Sequence, residues 1–113
     1  MLRLIAASTL WLLPSLALAQ GGSCLARNLL RVDAAFSRHG AGGTFDYSVQ
    51  ISNVSGAPVT FRVGFRMTNA QVNPQILSQA FTLPAHGNRI IIVGNGREQS
   101  VATRIGGGVL LTC

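Results

Sequence analysis

A chain of 113 residues holds one domain, and its nine arginines, absent lysines and three acids give a formal net charge of +6. Three acids and two histidines leave little for hydrolytic, glycosidic or metal chemistry, each of which needs several acid–base or ligating groups within reach of one another. The positive balance favours anionic partners, such as acidic protein surfaces, phosphorylated glycolipids or nucleic acid, although an all-arginine basic set also follows from a GC-rich genome.

Residues 1–19 read as a cleavable export signal. Arg3 supplies the positive start, Leu4 to Leu13 the apolar stretch, and Pro14 and Ser15 end it. Ala17-Leu18-Ala19 before Gln20 is a small-x-small cleavage site. A retained anchor is the competing reading, but a spanning helix needs roughly 20 apolar residues and this run is shorter and broken by proline. Gly21-Gly22-Ser23 ahead of Cys24 lacks the leucine expected before a lipidated cysteine. The domain is then 20–113, with no membrane span and eight arginines against Asp33, Asp46 and Glu98, a formal 8 − 3 = +5.

Cys24 and Cys113 sit near the two ends of that domain, and in an oxidising compartment an even count predicts a disulfide. Two terminal strands lying side by side would bring the sulfurs together. Free thiols or an intermolecular bridge are the alternatives.

Between the cysteines the apolar pattern has period two, the mark of half-buried strands. Asn28 to Phe36 offers Leu30, Val32, Ala34 and Phe36 on one face, and Arg38 to Thr44 is a glycine-rich loop. Phe45 to Asn53 alternates strictly, with Phe45, Tyr47, Val49 and Ile51 facing one way. Val59 to Met67 repeats the pattern with Val59, Phe61, Val63, Phe65 and Met67, after a turn-rich connector at Asn53–Pro58. Asn69 to Ser78 is polar, holds Pro74 and reads as a connection or irregular edge. Ala80 to Leu83 is a short strand, and Arg89 to Val93 is an unbroken apolar run expected to be covered on both faces. Asn95-Gly96 reads as a turn, Val101 to Ile105 as a strand, Gly106–Gly108 as a turn and Val109 to Cys113 as the last strand. No segment has a clear amphipathic helical pattern. The expected fold is all-β: a small antiparallel two-sheet sandwich of about seven strands.

From Asn28 to Cys113 this pattern resembles the immunoglobulin-like superfamily. Val49-Gln50-Ile51-Ser52-Asn53-Val54-Ser55-Gly56 is similar to the strand and turn of many bacterial sandwich domains, and Leu83-Pro84-Ala85-His86-Gly87 to the corner before their fifth strand. The resemblance implies an architecture and no family function. Antibody-type domains carry a core tryptophan, and here Trp11 lies in the signal; their cysteines lie on the second and sixth strands, and here they lie at the chain ends. Small curli-associated chaperone-like proteins resemble the chain in size, export and sandwich pattern, with no shared motif.

Candidate chemistry is sparse. His39 in the glycine-rich loop and His86 in a turn are surface histidines unless Asp33 or Asp46 meets one of them. Gly40-Ala41-Gly42-Gly43-Thr44 lacks the lysine and helix of a phosphate loop. Asn53-Val54-Ser55 matches a glycosylation sequon; the short signal, arginine bias and small size suggest a bacterial source, where the sequon carries no meaning, and it is assigned to the turn. The most informative group is basic. Arg62 and Arg66 project from the non-core face of one strand, Arg104 joins them if the third and sixth strands are neighbours, and Arg31 lies outward on the first strand. Such a face suits a carboxylate-rich or phosphate-rich partner; the plainer reading is a solvated face that keeps the protein soluble. Nucleic acid is not expected, because all five phenylalanines read as core. The expected function is therefore an exported, non-catalytic domain without cofactor or metal that binds another exported or surface protein, as an accessory to a surface fibre or secretion assembly. The alternative is a binder of an anionic small molecule or glycolipid through Arg31, Arg62, Arg66 and Arg104.

Overall fold

The computed structural model describes residues 23–113; the expected signal at 1–19 and its cleavage site lie outside them. Seven strands form two antiparallel sheets. They are β1 (Leu30–His39), β2 (Phe45–Asn53), β3 (Val59–Phe65), β4 (Ala70–Val72), β5 (Ala80–Leu83), β6 (Asn88–Gly96) and β7 (Val109–Thr112). One sheet runs β1-β2-β6-β4 and the other β5-β3-β7. Two short helices, α1 (Pro74–Leu77) and α2 (Ala102–Gly107), are added to this frame. The all-β antiparallel sandwich expected from the strand spacing is the fold observed.

The core lies between the sheets because each strand supplies an apolar residue at alternate positions. Tyr47, Val49 and Ile51 of β2 and Ile91 and Val93 of β6 face Phe61 and Val63 of β3, Phe81 and Leu83 of β5 and Leu111 of β7, all buried. Phe61 and Phe81, opposite one another across β3 and β5, stack with centroids 5.8 Å apart.

Two bulges change which residues face the core. The β1–β2 register shifts at Asp33, which has no opposite residue. Leu30 and Val32 therefore pair with the inward Asn53 and Ile51, whereas Ala34 and Phe36 pair with the outward Gln50 and Ser48. One extra residue moves everything beyond it to the other face. Phe36, expected in the core with Leu30 and Val32, is half-buried on the outer face, where the Arg38 guanidinium sits 5.3 Å from its ring centroid. In β6 the register shifts at Val93, so that Val93 and Gly94 are both buried. Ile90 and Ile92 point outward and are 50% and 47% exposed. The apolar run Arg89–Val93 is thus covered on one face only, because no described layer packs on the outer side of the four-stranded sheet.

Between Met67 and β7 the structure departs from the expected pattern. Asn69–Ser78 holds a strand and a helix. Asn69 takes positive φ, β4 pairs with Gly94–Gly96, and the Asn73 side chain caps α1 by accepting from the Gln75 amide with Pro74 in the first turn. Ile76 is the residue this helix buries. Asn95 and Gly96 are not a turn: they remain in β6, between β2 and β4. Val101–Ile105, expected as the sixth strand, instead opens α2, with Val101 as the extended residue before it. The Ile105 amide bonds to the Val101 carbonyl at 3.2 Å, and of this segment Ile105 alone is buried. Val101, Thr103 and Ile105 alternate as a strand would, but Val101 and Ile105 are equally one helical turn apart, and the helix packs against β1.

The chain ends are tied as the cysteine count predicts. Cys24 and Cys113 form a disulfide across 89 residues, with Cα atoms 5.2 Å apart. The partner of β7 at this edge is one bridge, Ser23 with Thr112, and the Cys24 amide donates to the Leu111 carbonyl at 3.0 Å. Cys24 itself lies in a turn rather than on a terminal strand.

Candidate functional site

The four arginines proposed as one face occupy three places. Arg62 lies on the outer face of the three-stranded sheet, opposite Ala80 and Thr112. Arg66 follows β3, its amide bonded to the Gly108 carbonyl at 2.9 Å. The two are exposed and stand roughly 13 Å apart by strand rise. Leu110, 60% exposed, lies opposite Gly64 between them, and none of the three strands carries an acid. Arg104 is on α2, since its segment coils instead of pairing with β3. Arg31 is on the outer face of the other sheet, its Nε donating to Asp33 Oδ1 at 2.6 Å. Arg62 and Arg66 alone share a surface by strand register.

Asp33 is held by two partners. It accepts from the Ser52 hydroxyl across the β1–β2 ladder and from Arg31 on its own strand. The Ser52 hydrogen bond and then the Arg31 hydrogen bond and charge lower its pKa below the ordinary value of 3.8. Among the described residues this is the one ion pair. His39 packs against Phe45 with the rings tilted and their centroids 4.8 Å apart, and His86 is an exposed turn residue with φ of 62°. Among the described residues no three histidine, cysteine, aspartate or glutamate side chains converge as a metal site would require.

The surface that sequence reasoning missed is the uncovered face and open edge of the four-stranded sheet. By register, Phe36, Ser48 and Ile92 form one outward row and Ala34, Gln50 and Ile90 the next. Ser48 is buried although it faces outward, covered by its neighbours in the row. Pairing of β4 with β6 stops at Val72, opposite Gly94. The Asn73 amide still donates to the Val93 carbonyl at 2.8 Å, and among the described residues no strand flanks Asn88–Ile92 on that side.

The hydrogen-bond parity shows which backbone groups the edge presents. The Val54 amide bonds to Leu29, before β1, and the Asn53 amide to Gly87, before β6. Odd-numbered residues of β2 therefore turn toward β6, and they meet Ile91 and Arg89. Ile90 and Ile92 turn the other way. The Ile92 carbonyl confirms this by accepting from Asn73 Nδ2 at 2.8 Å. Ile90 presents its amide and carbonyl to the same side, and no described group bonds to them. A groove of about 220 Å³ runs beside this edge, with Phe81 and Ile76 at its base and Asn73, Gln75, Gln79 and Arg89 around it. The Arg89 guanidinium sits 4.9 Å from the Phe81 ring centroid.

The opposite edge, β1, is differently built. A wider groove lies there between Val32, Ala35 and α2, with Leu25 and Val54 partly exposed at its rim. The Asp33 bulge and the Arg31–Asp33 pair interrupt that edge midway, a device that hinders strand addition. Between Asn88 and Ile92 the β6 edge has no bulge, and its one charged residue is Arg89, opposite the inward Ile51.

One clue to the open face was present in the sequence. Ser48 and Gln50, the outward residues of β2, are polar, which marks that side of the sheet as unlayered. No family model matches the chain, and neither a curated protein nor a solved structure matches it.

Proposed function

We propose that this chain is an exported, non-catalytic domain that binds another exported or surface protein through the four-stranded sheet. The observation that carries the reading is the combination at β6: two half-exposed isoleucines on an uncovered face, beside backbone groups of Ile90 with no described partner. An edge of this kind recognises protein, because the ligand that complements it is another extended backbone. Export is supported by the signal-like first nineteen residues and by the Cys24–Cys113 disulfide, a bond that persists in oxidising compartments. Among the described residues no helix is long and apolar enough to cross a membrane. An accessory that restrains strand-rich subunits of a surface fibre or secretion assembly is the form of this function that an open edge serves best.

The test compares capture of partners from envelope and medium fractions by three forms of the protein. The Ile90→Lys, Ile92→Lys form loses the partner that the unaltered protein retains, and the Arg62→Glu, Arg66→Glu form keeps it. The reverse pattern contradicts the reading. It would favour an anionic ligand or glycolipid on the Arg62–Arg66 surface, which the absence of acids on β3, β5 and β7 supports. That second mode is held by charge alone and weakens steeply with salt, whereas edge pairing keeps its backbone and isoleucine contacts and weakens less.

A further inference from the structure

We propose that β6 accepts an extended acidic segment of the partner as an added strand along Asn88–Ile92, and that Arg89 selects its acidic side chain. The proposal rests on the reading above and adds the mode of binding and the chemistry of the ligand. Ile90 offers one amide and one carbonyl to the incoming backbone. Asn73, which already holds the Ile92 carbonyl, marks where the added strand ends. Side chains of an added strand alternate between the two faces of the sheet. Those on the outer side extend the Ile90 and Ile92 rows and are apolar. Those on the inner side pass over the groove, where they meet Arg89 and the amides of Gln75 and Gln79.

Charge decides the occupant. Residues 23–113 hold eight arginines and three acids, a formal 8 − 3 = +5. Arg89 has no carboxylate partner among the described residues. Asp33, two strands away, is engaged by Arg31 and Ser52. Asp46 pairs with Asn95 toward the far end of β6, and Glu98 lies beyond that end. A second copy of the chain would bring the same positive charge to the edge, and an acidic segment brings the complement. Arg89, stacked on Phe81 at the groove mouth, is positioned to donate to a carboxylate without leaving the ring.

The experiment uses the full-length, disulfide-closed domain and two capped synthetic peptides, one alternating valine with glutamate and the other valine with lysine, read by titration and by the Ile90 amide resonance. The glutamate peptide binds at least about tenfold more tightly than the lysine peptide and shifts Ile90. Arg89→Glu reverses that preference, and Arg89→Gln abolishes it while leaving the folded spectrum intact. N-methylation of the glutamate peptide at alternate residues destroys binding in one register and spares it in the other, as backbone pairing requires. Equal affinities, shifts confined to the Arg62–Arg66 surface, or tolerance of N-methylation in both registers overturns the proposal. If neither peptide binds yet the isoleucine variants still lose partner capture, strand addition is wrong and recognition by the apolar face stands. If capture is also indifferent to those variants, both readings fall.

Discussion

The side-chain amide of Asn53 donates to the carbonyl of Pro84 at 3.0 Å, joining two corners 31 residues apart. The same nitrogen lies 2.8 Å from the Ala57 carbonyl and 3.1 Å from that of Leu83, so its two hydrogens are shared among three acceptors. Its Oδ1 accepts from the Ser55 amide at 2.9 Å. The side chain is buried, which leaves no free amide for a glycan at this sequon and makes the residue the link between the β2–β3 and β5–β6 corners. Asn53→Ala strands several buried polar groups and lowers stability by about 3 kcal/mol in urea denaturation. A loss under about 1 kcal/mol would show that the corners hold without it.

The Cys24–Cys113 bond closes a loop of 89 residues, for which the chain-entropy treatment gives about 4–5 kcal/mol. Reductant lowers the urea midpoint of the unaltered protein and leaves that of the Cys24→Ser, Cys113→Ser form unchanged. Equal midpoints for the two proteins without reductant would mean that the ends are held without the bond.

Asp33 makes stability depend on pH in a definite direction. Its folded pKa lies below the ordinary 3.8, so the folded chain binds that proton more weakly than the unfolded chain does. The contribution is complete above the ordinary value and disappears as pH falls through the folded one. Asp33→Asn removes it, so variant and parent differ most above pH 4 and converge in stronger acid. Carbon-detected NMR titration places the Asp33 midpoint below 3.8; a midpoint at or above that value would contradict the Ser52 and Arg31 assignment.

Gly94 is required by packing at the β6 bulge. A Cβ there would lie 2.5 Å from the Gln71 carbonyl oxygen and 2.7 Å from the Phe65 ring. Gly94→Ala therefore costs about 1–3 kcal/mol in thermal denaturation. Gly56→Ala, whose Cβ meets nothing within 4 Å, stays within about 1 kcal/mol of the parent and serves as the control. Equal losses in the two variants would remove the packing argument.

The residues that could be read correctly from sequence are those whose environment is set by neighbours on the same strand. Phe45–Asn53 and Ala80–Leu83 are strands over the expected residues, and Val59–Met67 runs two residues short, because period-two alternation between a core and solvent is a local signal. The failures have non-local causes. Asp33 is an extra residue only relative to β2, so the outward turn of Phe36 depends on a partner strand, and the exposure of Ile90 and Ile92 depends on the lack of a described layer over their face. Val101 and Ile105 fit either period, and a helix packed against β1 takes the place of the strand expected to carry Arg104 beside Arg62 and Arg66. The β6 edge became visible only once β4 proved three residues long and ended opposite Gly94.

Amide hydrogen exchange measures, residue by residue, whether β6 keeps an unpaired edge at Ile90. In the free protein the Ile90 amide exchanges rapidly, whereas that of Ile91, turned into the β2 ladder, exchanges slowly. Equal slow exchange at Ile90 and Ile91 would mean that the edge is already covered, and the binding surface described for this sheet would not exist.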